Sequence, residues 1–395
     1  MKNEKLNLVR PFGLPESAST PVVTPLSPSV VYSSQSPDML DAQYEGAIDG
    51  YTYAREGHPN ADALAKQIDA LEGVKGGLVT GSGMAAVTAT LLGVLQNGDH
   101  VVAGDQLYGR SLRLLKENLP RVGISVSFCD PTNAKNILSA LRPNTKMVLL
   151  EAVSNPTLRV ADIMGLSKEL KTREILLAVD NTFTTPLAVK PAQLGADIII
   201  HSVTKLMAGH SDVTLGYVWA GSVDVSKSIY DFCVTTGMTP SPFDCWLAER
   251  GLLTFKLRYQ KAQDNAILLA AALSGHPNIS KVLYPSRHDH PDFETAQTLL
   301  GRQGCNMVSF ELSQMTREAA NSLVENVKEI AFAPTLGDIG TTLSHPASSS
   351  HRALSVEERS KLGISEGFFR VSVGIEDADT LIDVFSRAVS ESASK

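Results

Sequence analysis

The sequence predicts an α/β protein: a large, mostly parallel sheet followed by a smaller C-terminal unit with antiparallel strands. Two observations carry this expectation. Short runs of consecutive apolar residues, at 147–150, 176–179 and 198–200, stop abruptly at polar residues and alternate with helical patterns. Unbroken runs of that length suit strands covered on both faces of a parallel sheet, and the alternation with helices is the mark of the α/β class. Beyond about Gly251 a helical stretch leads to runs of a different kind, at 307–312 and 368–373, where apolar and polar residues alternate. That pattern suits antiparallel strands with one covered face.

Taken in order, residues 1–48 are rich in Pro, Ser and Thr and show little periodicity, as an extended arm does. A helix is expected from Ala61 to about Leu71, with Leu64, Ile68 and Leu71 on one face. Residues 78–80 read as a strand ending at Gly81-Ser82-Gly83-Met84, after which Val87, Leu91, Leu92 and Leu95 form a helical stripe. A Gly-rich turn entering a helix presents free N–H groups and the positive end of the helix dipole to an anion. Strands follow at 100–103, 125–128, 147–150, 176–179, 198–200 and 215–219. In the last alternating run Phe369, Val371 and Val373 share a face, leaving Arg370 with Phe368 and Ser372 on the other. A cation in mid-strand is costly unless paired, which points to a ligand for Arg370.

Length and composition bound the function. A chain of 395 residues suits two or three domains, here drawn as 1–48, 49–250 and 251–395. With 43% hydrophobic and 19% charged residues, the composition is that of a globular protein. A net charge of −7 without a concentrated basic run speaks against a nucleic-acid partner. Nothing at the N-terminus has the 7–15-residue apolar core of a signal peptide, and no stretch is long enough to span a membrane. Cys129, Cys233, Cys245 and Cys305 are few and lack metal-ligand spacing, so no metal is expected. They read as thiols in a reducing compartment, with the cytoplasm as the expected location.

The chemistry concentrates between residues 176 and 216. One expected strand ends at Asp180; the next delivers Ser202, Thr204 and Lys205 within four residues. The carboxyl ends of parallel strands are where such folds bind ligands. An amine for an imine, an acid to keep a ring nitrogen protonated and hydroxyls for a phosphate are the needs of pyridoxal 5′-phosphate. An anion beside the ring nitrogen raises its proton affinity.

The stretch 197–211 resembles the signature of the Cys/Met-metabolism (trans-sulfuration) family of pyridoxal-phosphate enzymes: an aspartate, small hydroxyl residues, Thr-Lys, two hydrophobic positions, then Gly-His-Ser. That resemblance, which runs from about residue 45 to the C-terminus, implies the fold-type-I transferase architecture. A mostly parallel seven-stranded sheet with helices on both faces would then carry a smaller C-terminal α+β domain. It implies a covalent imine on Lys205, with Ser202 and Thr204 on the phosphate and Gly83 and Met84 in the phosphate cradle. Tyr108 stacks on the ring and moves a proton, and Thr182 lines the cofactor. Tyr53 and Arg55 would reach the cofactor phosphate of a neighbouring subunit, which the N-terminal arm also contacts, in a homotetramer built from two dimers. On the substrate side it implies Asn155 and Arg370 at the α-carboxylate, Thr335 in the adjoining loop and Arg113 for a distal carboxylate.

The implied activity is elimination or replacement at the γ or β carbon of a sulfur-containing or homoserine-derived amino acid, similar to cystathionine γ-synthase and γ-lyase. Cystathionine β-lyase, methionine γ-lyase and O-acylhomoserine sulfhydrylase are the alternatives, because two subfamily positions depart from pattern. Pro334 stands where the cystathionine γ-enzymes usually carry Glu, and Arg110 where methionine γ-lyases carry Cys. The remaining alternative is a non-catalytic scaffold, against which an imine lysine paired with Asp180 and Arg370 argues.

Overall fold

The structure, a computed structural model, describes residues 17–301 and 304–392; the first part of the predicted arm, 1–16, lies outside the described residues. Among the described residues, twelve strands form two sheets. The larger contains β1 (Leu78–Thr80), β2 (His100–Gly104), β3 (Ser125–Cys129), β4 (Thr145–Glu151), β5 (Leu176–Asp180), β6 (Ile198–His201) and β7 (Gly216–Ala220), in the order β1-β7-β6-β5-β4-β2-β3. All neighbours are parallel except β7, which runs antiparallel to both β1 and β6. The apolar runs are buried because both faces are covered. Val101, Leu149, Ala178, Ile198 and Ile200 belong to one apolar cluster, and Val102, Val148, Leu150, Leu177 and Val179 to another.

The smaller sheet holds β8 (Ile279–Leu283), β9 (Met307–Leu312), β10 (Ala331–Phe332), β11 (Thr342–Ser344) and β12 (Phe368–Ser372), in the order β10-β11-β12-β9-β8. Only the β10–β11 pair is parallel. Phe369, Val371 and Val373 pack with Phe310, Leu381 and Phe385 against the helices Phe255–Ser274 and Ala378–Ser392. One expectation is corrected here. The opposite face of β12 is not solvated, because Phe368, Arg370 and Ser372 are buried too. Alternation in β12 therefore separates an apolar core from a polar interior, not core from water.

Local chemistry explains where helices begin. The helix Pro59–Glu72 is capped by His58, whose Nδ1 accepts from the Ala61 N–H at 3.1 Å while Nε2 meets the Pro240 carbonyl at 3.2 Å. Proline at its first turn lacks only an N–H that would be unsatisfied anyway. Asn60, fully buried, accepts from the Ser27 N–H and donates to the Pro25 carbonyl, and Trp246 Nε1 donates to the Thr24 carbonyl. Residues 24–27 of the arm thus lie on their own chain.

The two halves are joined by charge as well as by apolar contact. Arg159, between β4 and the helix Ile163–Lys171, donates to both oxygens of Asp292 at 2.6 and 2.9 Å, and the Val160 N–H adds a third bond at 3.0 Å. A bidentate guanidinium–carboxylate pair is strong and directional. Substituting Asp292→Ala removes it and strands a half-buried guanidinium and an N–H. We expect about 2–3 kcal/mol of lost stability, read as a lower denaturant midpoint with unchanged far-UV circular dichroism.

Candidate active site

Five strand ends meet at one cavity of about 230 Å³. β1 runs into Ser82 and Gly83, β2 into Tyr108, β4 into Glu151 and Asn155, β5 into Asp180 and Thr182, and β6 into Ser202 and Lys205; all of these residues line the cavity. Ser82 caps the helix Gly83–Val94 by accepting from the Ala85 N–H at 3.0 Å. The residue after the cap must be small. A Cβ on Gly83 would lie 2.7 Å from Ser202 Cβ and 2.8 Å from its Oγ, so glycine lets the helix start approach β6 and leaves its amides facing the space between.

Lys205 sits in this cavity with Nζ 3.4 Å from Thr335 Oγ1. Burial, with the charge of Arg370 adding to it, lowers the pKa of its amine. Its loop is clamped from below: Arg258 donates to the carbonyls of Leu206, Met207 and Gly251, each at 2.9 Å. From above, Gly337 (φ +81°) approaches so closely that a Cβ would lie 2.5 Å from the Leu206 nitrogen. Its N–H donates to Ser372 on β12 at 2.8 Å.

Asp180 and Glu151 are side by side in the β4–β5 register, and burial raises the pKa of both. At Asp180 opposing influences come from Thr182, which donates from Oγ1 at 2.6 Å and from its N–H at 3.0 Å, and from the nearby His201. Glu151 is pushed further because the neighbouring Asp180 charge adds to burial. Of the two, Glu151 is pushed up the further, and Asp180 has the better-stabilised carboxylate. Thr182 Oγ1 also accepts from the Ser202 N–H at 2.9 Å, linking the ends of β5 and β6.

Arg370 crosses from the small sheet to the large one. Its Nη1 donates to Asn155 Oδ1 at 2.6 Å, its Nη2 to the Thr335 carbonyl at 2.8 Å, and the guanidinium carbon lies 5.8 Å from the Phe183 ring centroid. Nε is buried without a partner, and burial lowers the pKa to about 10. A buried cation with an unsatisfied N–H is poised for an anion.

The structure thus brings together Gly83, Met84, Tyr108, Asn155, Asp180, Thr182, Ser202, Thr204, Lys205, Thr335 and Arg370. Thr204 is present but engaged: its hydroxyl donates to the Leu215 carbonyl and accepts from the Leu215 N–H. Tyr53 and Arg55 are elsewhere, in a loop where Arg55 donates to the Val234 carbonyl at 3.3 Å and lies over the Tyr53 ring. The role expected of Arg113 is not supported. It lies outside the cavity on the exposed side of the helix Gly109–Arg113 and pairs with Glu117 at 2.8 Å, one helical turn on. Sequence reasoning missed Glu151, which accepts from the Tyr108 N–H at 2.6 Å and so fixes the tyrosine loop. It also missed Phe183, Arg258 and the serines at 349 and 350. Glu151 could have been noticed from its place at a strand end next to Asp180; Arg258 had no local signal in its helix.

The donor set fits pyridoxal phosphate. The buried amine with depressed basicity, the carboxyl group of Asp180 hydrogen-bonded by Thr182 and the open helix start at Gly83 match the aldehyde, ring nitrogen and phosphate of that molecule. Among the described residues no group of three His, Cys, Asp or Glu side chains is arranged to hold a metal ion, and no helix is long and apolar enough to cross a membrane.

Comparison with known proteins agrees. The family model for Cys/Met metabolism PLP-dependent enzymes matches residues 10–390. Cystathionine β-lyase MetC of Bacillus subtilis is 40% identical over 343 residues, covering 87% of each chain. An L-methionine γ-lyase of Fusobacterium nucleatum is 40% identical over 340 residues, covering 84% of each. Among solved structures, cystathionine γ-synthase from Xanthomonas oryzae in complex with cystathionine superposes with a TM-score of 0.89 at 34% identity, over 96% of this chain and 95% of that one. A putative O-acetylhomoserine (thiol)-lyase of Campylobacter jejuni, 26% identical with a TM-score of 0.89 over 93% of this chain and 95% of that one, carries a pyridoxyl-lysine adduct.

Filling the cradle tests its role. Gly83→Ala is expected to weaken pyridoxal-phosphate binding by at least about tenfold, since a methyl group would force the helix start away from β6. Fluorescence titration of apoprotein measures it, and wild-type affinity in the variant would refute the assignment.

Proposed function

The chain belongs to the Cys/Met metabolism family of PLP-dependent enzymes, and from that premise we propose that it eliminates or replaces the γ-substituent of a sulfur-containing or homoserine-derived amino acid. One observation carries the reading: the depressed-pKa amine of Lys205 shares a cavity with two carboxyl groups at the ends of adjacent strands and a buried arginine from the facing sheet. When bound, pyridoxal phosphate supplies an aldehyde for an amine and a ring that draws electrons away from the substrate Cα. Asp180 would face the ring nitrogen. Gly83, Met84 and Ser202 would hold the phosphate.

Arg370 and Asn155 receive the substrate α-carboxylate, and Arg370 Nε provides the donor still without a partner. Tyr108, fixed through Glu151, takes a proton from the incoming ammonium group. Lys205, its amine made less basic by burial and by Arg370, takes the Cα proton and returns one at a neighbouring carbon as a positioned general base. Loss of the substituent at Cγ additionally requires proton removal from Cβ, which one mobile lysine side chain can reach. The cystathionine β-lyase relative favours a second reading, β-elimination, which ends at pyruvate instead of 2-oxobutanoate.

The proposed working unit is a homotetramer of two dimers with shared sites, divided within each chain into the 1–48 arm, a cofactor domain to residue 250 and a C-terminal domain. The exposed Tyr53–Arg55 loop, remote from its own cavity, supports sharing. Four free cysteines support a reducing compartment, the cytoplasm.

Two measurements test this. Lys205→Ala should fold normally yet lose the visible lysine–cofactor absorption and at least about 1,000-fold in kcat; ordinary turnover by that variant would end the proposal. Product analysis with methionine, cystathionine and acylhomoserines separates γ from β chemistry. Sharing is tested by mixing Lys205→Ala with Arg55→Ala after reversible dissociation. Hybrids that hold one intact site should regain up to about a quarter of wild-type activity if random dimers form, whereas no recovery argues for self-contained subunits.

A further inference from the structure

One buried acid–base pair takes no part in the chemistry above. Glu72 ends the helix Pro59–Glu72 and His201 ends β6; they are 0% and 1% exposed within the single subunit, and His201 Nε2 lies 2.5 Å from Glu72 Oε1. The place is unfavourable for an acid. The carbonyl end of a helix is its negative end, and Glu72 Oε2 is buried without a hydrogen-bond partner. The other acid on this turn, Asp69, is committed elsewhere: its oxygens accept from the Tyr217 hydroxyl and from the N–H groups of Gly76 and Gly77. A buried ion pair adds little stability compared with apolar residues of the same volume. Packing alone therefore does not account for it.

The pair reaches the cofactor site through its chain neighbours. Asn181, which directly follows Asp180, donates from Nδ2 to Glu72 Oε1 at 3.2 Å and to the Val189 carbonyl at 2.8 Å. Its N–H donates to the Ile200 carbonyl at 2.9 Å, and Ile200 is the register partner of Asp180. His201 directly precedes Ser202, whose N–H donates to Thr182, the same threonine that donates to Asp180. Glu72 thus grips the residue after the acid and the residue before the serine. Electrostatics follow the same path. Burial pushes the Asp180 carboxyl up, and Thr182 together with the charge of His201 opposes that push.

We propose that Glu72 and His201 are a positioning pair that keeps a positive charge behind Asp180, so that the proton shared by Asp180 and the ring nitrogen of pyridoxal phosphate stays on the ring. The sign follows from Coulomb's law. Moving a proton from the carboxyl group to the ring takes positive charge away from His201, and an imidazolium favours that direction. Glu72 is what lets the imidazolium persist in a dry interior, since an unpaired buried cation sheds its proton. This role deepens the functional reading given above and rests on its assignment of Asp180 to the ring nitrogen.

The test reads the ring directly, by nitrogen NMR of holoenzyme carrying pyridoxal phosphate isotopically labelled at the ring nitrogen. Glu72→Gln keeps the shape and an acceptor for His201 but removes the anion. The double variant Glu72→Gln with His201→Gln removes both charges and strands neither, so it carries the test if the single variant does not fold. In each the resonance should move from the protonated toward the unprotonated position, reflecting about a tenfold redistribution of the proton for about one pKa unit. A merely structural pair would lower the thermal midpoint and leave the resonance of the loaded protein in place, and that result overturns the proposal. Asp180→Asn is the reference. A wild-type resonance there would remove Asp180 as the ring partner and the proposal with it, whereas a shift in Asp180→Asn without one in the pair variants defeats the pair alone.

Discussion

A guanidinium buried in the interior between two sheets is the constraint on which the remaining structure depends. Arg370 stands in the middle of β12, where a charge without water is costly. The cost is offset by Asn155 from the end of β4, the Thr335 carbonyl and the face of Phe183. Those partners come from different parts of the chain, so the cation is tolerated only when the small sheet is docked on the large one. The Arg159–Asp292 pair makes the same junction from another side. Docking and site assembly are consequently one event.

The same economy of burial governs the other charged groups. Removed from water, Lys205 loses basicity, while at Asp180 the two hydrogen bonds from Thr182 oppose the upward push of burial. Glu151, adjacent in the sheet, is pushed up further by the Asp180 charge and fixes the backbone of the tyrosine loop through one oxygen. Two carboxyl groups in one register are thus shifted to different extents by their surroundings alone. The lysine gains no freedom of position from its loop. Arg258 holds three carbonyls around it, and Gly337 allows backbone to pack directly against it.

Sequence alone determined much of this protein. The seven apolar runs became strands within a residue or two of their expected ends, because a strand covered on both faces cannot change register without exposing itself. The Asp180 and Lys205 ends, the Gly83 turn and the cation on β12 were legible because their residue types are expensive or unusual where they stand. What tertiary structure decided was everything that depends on approach between distant segments. Arg113 looked available for a substrate, but helix geometry turned it toward Glu117 and the solvent. Arg258 looked like an ordinary residue, yet packing made it the clamp on the lysine loop. Periodicity along a chain records which side is buried, whereas it carries no record of which buried polar groups will face each other.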